Sequence, residues 1–114
     1  MALYFLTDDP AALLEAFKAK INQRDKQGRI ETWEEFGDNF GHTSTQWKDA
    51  AQAVPSVITL DKNPALKFHF EAVEGGKEFT AVAYAEYHGT LLQTFITHLS
   101  DEFKSARFID RRNK

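Results

Sequence analysis

Residues 66–85 read Leu-Lys-Phe-His-Phe-Glu-Ala-Val-Glu-Gly-Gly-Lys-Glu-Phe-Thr-Ala-Val-Ala-Tyr-Ala, and the way this stretch folds decides the architecture. Alternation puts Leu66, Phe68, Phe70 and Ala72 on one side of an extended segment, and Phe79, Ala81, Ala83 and Ala85 on one side of a second. With Gly75-Gly76 as a two-residue turn, the opposed pairs are Ala72/Phe79, Phe70/Ala81, Phe68/Ala83 and Leu66/Ala85, large against small each time. The stretch predicts a β-hairpin with an apolar inner face. Its other face carries Lys67, His69, Glu71 and Val73 opposite Tyr84, Val82, Thr80 and Glu78. That mixture suits either solvated surface or the centre of a protein interface formed by Lys67, His69, Glu71, Val82 and Tyr84. In the second case the strand from Ala65 to Val73 would pair across a two-fold axis in a homodimer.

On the C-terminal side, Leu91, Leu92, Phe95, Ile96, Leu99 and Phe103 form a wide apolar stripe that predicts a helix over about Gly89 to Phe103. Residues Ala106 to Ile109 add a last edge strand before a basic tail at about 110–114. On the N-terminal side, Val57 to Leu60 is a short β run closed by the turn Asp61-Lys62-Asn63-Pro64. Upstream of it, Gln46 to Ala53 reads as a short Ala-rich helix, capped by Thr45 and ended by Pro55. Ile30 to Phe36 and Phe40 to Thr45 are strands around Gly37-Asp38-Asn39. Asp9-Pro10 opens a helix whose Leu13, Leu14, Phe17 and Ile21 share one face, running to about Gln23. Residues 2–6 are a candidate short strand. Helices near both ends and strands joined by short turns predict an α+β fold: an antiparallel sheet of about four to six strands with two main helices packed on one face.

Composition sets the outer limits. At 114 residues the chain is one domain, able to bury roughly two-thirds of its unfolded surface. No apolar run approaches the ~20 residues of a membrane span, and Met1 to Asp9 carries no basic leader, so neither a membrane nor a secretory signal is expected and the cytoplasm is the expected compartment. Cysteine is absent, which removes disulfides, thiolate catalysis and Cys-bound zinc. The net charge of −3 argues against a nucleic-acid partner, whose affinity needs clustered Lys and Arg. Charge is nevertheless uneven. Glu31, Glu34, Glu35 and Asp38 make one acidic stretch, and Arg107, Arg111, Arg112 and Lys114 make the C-terminus basic. Such runs serve solubility, or steer a head-to-tail or hetero-partner contact.

Chemistry-bearing motifs are sparse. His42, His69, His88 and His98 lack the short paired spacing of a zinc site, so no metal or cofactor is called for. Tyr87, His88, Gly89 and Thr90 fall where a strand is expected to give way to a helix, an entry whose free N–H groups suit an anion. His42, Thr43, Gln46 and Trp47 lie in a second segment rich in groups that orient a ligand. Together these eight residues are the candidate ligand site, each with a plain alternative as bend, cap or packing residue. Ser44 beside His42 is no triad, Glu34 and Glu35 point to opposite strand faces, and Gly75-Gly76 is a turn, not a phosphate cradle.

Thr32-Trp33, His42-Thr43, Gln46-Trp47 and Tyr87-His88-Gly89, followed by an apolar helix, resemble a group of short uncharacterised bacterial proteins. The resemblance implies a small soluble bacterial protein of about this length and adds no catalytic residue. The sequence points away from an enzyme and towards a protein-binding module, with a second copy of itself as a candidate partner. Ten phenylalanines, three tyrosines and two tryptophans exceed what two helices and a hairpin need, so Trp33, Phe36, Phe40 or Tyr84 are expected to cover an apolar patch. The alternative is a small-ligand-binding domain or small enzyme in which His42 and His88 meet in one cavity.

Overall fold

The computed structural model describes residues 2–109, so the basic tail at 110–114 lies outside the described residues. The elements run β1 (Ala2–Leu6), α1 (Pro10–Ile21), β2 (Trp33–Phe36), β3 (Asn39–His42), β4 (Ala51–Leu60), β5 (Asn63–Ala72), α2 (Ala81–Leu99), a short 3-10 turn (Ser100–Glu102) and β6 (Ser105–Ile109). The six strands form one open sheet in the order β2-β3-β4-β5-β1-β6, every neighbouring pair antiparallel. This is the expected α+β fold, at the upper end of the expected strand number. The thinnest dimension is 22 Å, the depth of one sheet and one helix layer.

The central hairpin is a different one from that expected. Phe68 and Phe70 do face small residues, but these come from upstream: Pro55 opposes Phe68, Ala53 opposes Phe70 and Ala51 opposes Ala72. The ten-residue ladder of β4 and β5 is closed at Asp61-Lys62, both with positive φ (50° and 68°), as the primed two-residue hairpin turn requires. Residues 81–85 are the first turns of α2, so the 66–72/79–85 hairpin does not exist. Alanine has the highest helix propensity of any residue, and Ala83, Tyr87, Leu91 and Phe95 continue one buried helical stripe. Thr80 caps it, its Oγ1 accepting from the Ala83 N–H at 3.1 Å.

Gly75-Gly76 serves another purpose. Gly76 lies so close to the backbone of Asp49 that an added Cβ would fall 2.1 Å from the Asp49 carbonyl oxygen. The Lys77 N–H donates to that same oxygen at 3.2 Å, so the glycine docks the β5–α2 loop onto the turn before β4. That turn replaces the short helix expected over 46–53. One helical turn forms from Ser44, then Asp49 at φ 69° breaks it and Ala51–Ala53 enter the sheet. Pro55 does not end an element but sits within β4. It is tolerated because β3 pairs β4 only at Gln52 and Ala53, so from residue 55 onward nothing on that side needs a proline N–H.

Both helices lie on the same face of the sheet. Phe17 of α1 and Phe95 of α2 meet Phe5, Phe40 and Phe68 from β1, β3 and β5, with Phe5 and Phe95 stacked at 4.0 Å. On the opposite face Ala2, Tyr4, Leu6 and Ala65 form a smaller cluster with Ile58, Leu60 and Ile109. Freed from β3, the β4–β5 ribbon leans across β1, because Asp61 at its tip reaches Arg107 of β6 at 3.1 Å although two strands separate β4 from β6. Beyond that cluster the second face has no helix on it.

Candidate functional site

The ligand-site residues predicted from sequence collect partly into one nest between α2 and the ends of β2, β3 and β5. Tyr87 is fully buried at its centre, with ring-centre distances of 5.3 Å to His42, 5.9 Å to Trp33 and 5.6 Å to Phe70. Its hydroxyl donates to the Trp47 carbonyl and accepts from the Ala51 N–H at 3.3 Å, fastening α2 to the start of β4. Burial raises the Tyr87 pKa, which keeps that hydroxyl a donor.

The two histidines are packed into this nest as neutral rings of opposite tautomer. The Ser44 N–H donates to His42 Nδ1 at 3.1 Å, which places the His42 proton on Nε2. His88 Nδ1 lies 2.9 Å from the Tyr84 carbonyl, which can only accept, so its proton is on Nδ1 and Nε2 bears a lone pair. Only 4% of His42 and 6% of His88 is exposed, and both Nε2 atoms, with Trp33 Nε1, are buried without a hydrogen-bond partner among the described residues. Burial pushes the His88 pKa down to about 4, and lowers that of His42 against the opposing pull of Glu86.

His42 and His88 join the nest through different rings. His42 contacts Trp33 and Tyr87, whereas His88 contacts Phe70, Tyr84 and Phe108. The cavity that touches His42 measures about 30 Å³, is lined by Glu34, Gly41, Lys48 and Gln52 among others, and does not include His88. That is room for about one water.

The rest of the expected ligand site is not assembled. Thr43 is a strand-end brace, its Oγ1 donating to the Glu31 carbonyl at 2.6 Å. Gln46 is exposed in the turn, where its carbonyl accepts from Lys77 Nζ at 3.5 Å, and Trp47 packs against the core. Gly89 and Thr90 lie in the middle of α2, with Thr90 Oγ1 donating to Glu86 at 3.2 Å. The helix entry therefore lies at Thr80, with the free N–H groups on the first helical residues from Ala81, and not at residues 88–90.

The five expected interface residues divide between two surfaces. Lys67, His69 and Glu71 stand on the helix-free face of β5, His69 Nε2 lying 3.0 Å from the Glu71 carboxylate and Lys67 Nζ 5.9 Å from the Tyr4 ring centre. Val82 and Tyr84 are on α2, in the other layer. Both edges of β5 are filled by β4 and β1, so it has no edge to offer a second copy, and the two-fold pairing of this strand is ruled out. Of the four aromatics expected to cover a patch, Trp33 and Phe40 are core and Tyr84 is half-buried; only Phe36, 57% exposed on edge strand β2, is a surface group.

Phe108 of the opposite edge strand, 51% exposed, is a surface aromatic that sequence reasoning missed. Its signal was present in the alternation of residues 105–109. Gln52, Val54 and Ser56 of β4 extend the helix-free surface beside Lys67, His69 and Glu71. Val54 and Ser56 are half-buried. Among the described residues no group of three or more His, Asp or Glu side chains is placed to hold a metal ion, and no helix is long and apolar enough to cross a membrane. No protein-family model, curated protein or solved structure matches the chain.

Proposed function

We propose that this chain is a non-enzymatic protein-binding module that docks a protein partner on the helix-free face of its sheet. The observation that carries the reading is the asymmetry of the two layers: both helices lie on one face, while β4 and β5 display Gln52, Val54, Ser56, Lys67, His69 and Glu71 on the other. A half-buried apolar group, Val54, ringed by hydrogen-bonding and charged ones matches the polar make-up of a non-obligate interface. A photo-crosslinking residue at Val54 is expected to give a discrete adduct in the native host, competed by excess unlabelled protein. The adduct should vanish with Ser56→Glu, and the same probe at Glu15 of α1 should give none. Equal labelling from both positions, or none from Val54, overturns the reading.

One observation favours a second reading, a small-ligand site at the nest: three buried nitrogens, Trp33 Nε1 and the two His Nε2 atoms, make no hydrogen bond among the described residues. Against it stands space, since the cavity at His42 admits little more than a water.

A further inference from the structure

The two edges of the sheet differ in charge and are alike in length. Edge strand β2 and its flanks, residues 31–38, carry Glu31, Glu34, Glu35 and Asp38 and no cation. Edge strand β6 and the residue before it, 104–109, carry Lys104 and Arg107 and no acid, and the sequence continues through one acid, Asp110, to three cations, Arg111, Arg112 and Lys114. Among the described residues, no backbone hydrogen bond reaches Trp33–Phe36 from any strand but β3, or Ser105–Ile109 from any strand but β1. Each edge thus presents a row of unused backbone groups, the template for adding a strand. Each also presents one half-exposed phenyl ring, Phe36 or Phe108.

We infer that the chain self-associates head to tail, β6 of one copy adding to β2 of the next so that the sheet continues across the seam. Three features of the sheet fit this occupant. First, direction: an antiparallel sheet with an even number of strands has edges that run in opposite senses, so a copy displaced sideways brings its β2 antiparallel to β6 with its helices on the same side. Second, facing: Ala106 and Phe108 share the helix side with Trp33 and Glu35, and Arg107 shares the helix-free side with Glu34 and Phe36. With Arg107 opposite Glu34, Phe108 falls opposite Trp33 and Ala106 opposite Glu35. Third, charge: β2 against β2 would set carboxylates together and β6 against β6 would set cations together, so like edges repel and only unlike edges attract.

Within one chain these charges hold exposed partners, Glu34 with Lys48 at 3.7 Å, Glu35 with Asn22 at 3.0 Å, Arg107 with Asp61 at 3.1 Å and Lys104 with Asp8 at 2.6 Å. Such pairs are worth little and exchange readily with a docked copy. A seam of four or five residues per edge is small, so association is weak and needs high concentration. The contact is heterologous, so it carries assembly past the dimer, into a filament or a closed ring. It does not use the β4–β5 surface of the helix-free face and stands or falls separately from the function proposed above.

Sedimentation velocity on the full chain tests it, in a concentration series up to about 1 mM at low salt. Species growing past the dimer with concentration, and reverting to monomer at about 0.5 M salt, are expected. Glu34→Lys/Glu35→Lys and Lys104→Glu/Arg107→Glu should each weaken association at least about tenfold. Mixed together, the two variants should assemble again, because every seam then joins unlike charges, a recovery that misfolded variants cannot give. Lys67→Glu, on the helix-free face, should leave assembly unchanged. A monomer at every concentration, assembly that stops at a dimer, assembly that survives both reversals, or a mixture that stays monomeric overturns the inference.

Discussion

Two ends of the helix-covered core are packed equally tightly from different chemistry. Around Phe5, Phe17, Phe68 and Phe95 only hydrocarbon meets hydrocarbon, and nothing there has a direction except ring geometry. Around Tyr87 the rings carry nitrogen and oxygen: a hydroxyl that bridges two backbone groups, two imidazoles of opposite tautomer and an indole whose N–H bonds to nothing among the described residues. The first region holds the layers together through area removed from water. The second fixes how α2 and the 44–51 segment sit on each other, and it accepts a desolvation cost to do so.

On that division the hydrocarbon end is the more sensitive to lost volume. Phe95→Ala, which empties the space between Phe5, Phe17 and Phe68, should cost about 3–5 kcal/mol in urea unfolding, with little dependence on pH. The nest should be the end that acid attacks. His88 titrates near 6.5 in the unfolded chain and at about 4 in the folded one, so between those values the unfolded state binds the proton first. Its contribution is complete above pH 6.5 and declines as pH falls towards 4, by about 3 kcal/mol in all. His88→Leu should flatten that decline, leaving the slope that belongs to His42; an unchanged acid limb would refute the assignment. The smallest effect belongs to the bridging hydroxyl: Tyr87→Phe should cost about 1–3 kcal/mol near pH 7. A Tyr87→Phe loss equal to that of Phe95→Ala would erase the distinction between the two ends.

The parts of the fold carried by punctuation were legible in the sequence. Asp9-Pro10 does open α1, with the Asp9 carboxylate accepting from the Ala12 N–H at 3.0 Å, Gly37-Asp38 does turn β2 into β3, and the turn at Asp61-Lys62 and the edge strand before residue 110 are where expected. What could not be read was the partner of β5. Alanines at 81, 83 and 85 suit a strand facing large rings and the first turns of a helix equally well, and Ala51, Ala53 and Pro55 offer the same small surface from the other side. Large-against-small complementarity names a kind of partner without saying which segment supplies it.

The candidate site follows the same pattern. His42, Tyr87 and His88 share a nest because each ends or faces an element whose apolar side was recognisable, while Gly89 and Thr90 were misplaced with the start of α2. The interface set split for that reason too: Val82 and Tyr84 were assigned to a strand that is a helix. That Trp33 Nε1, packed against Tyr87 and Phe70, has no hydrogen-bond partner among the described residues is not legible in the sequence.

Pro55 has an effect beyond its own position. Since it has no hydrogen to give, β3 cannot run on beside β4 past this point without stranding one of its own carbonyls. The pair of strands that continues from there is kept slender and free to bow. It bows far enough to bring Asp61 to Arg107, and the apolar side chains beneath, Tyr4 and Leu6 with Ile58 and Leu60, close a second small core that no helix attends.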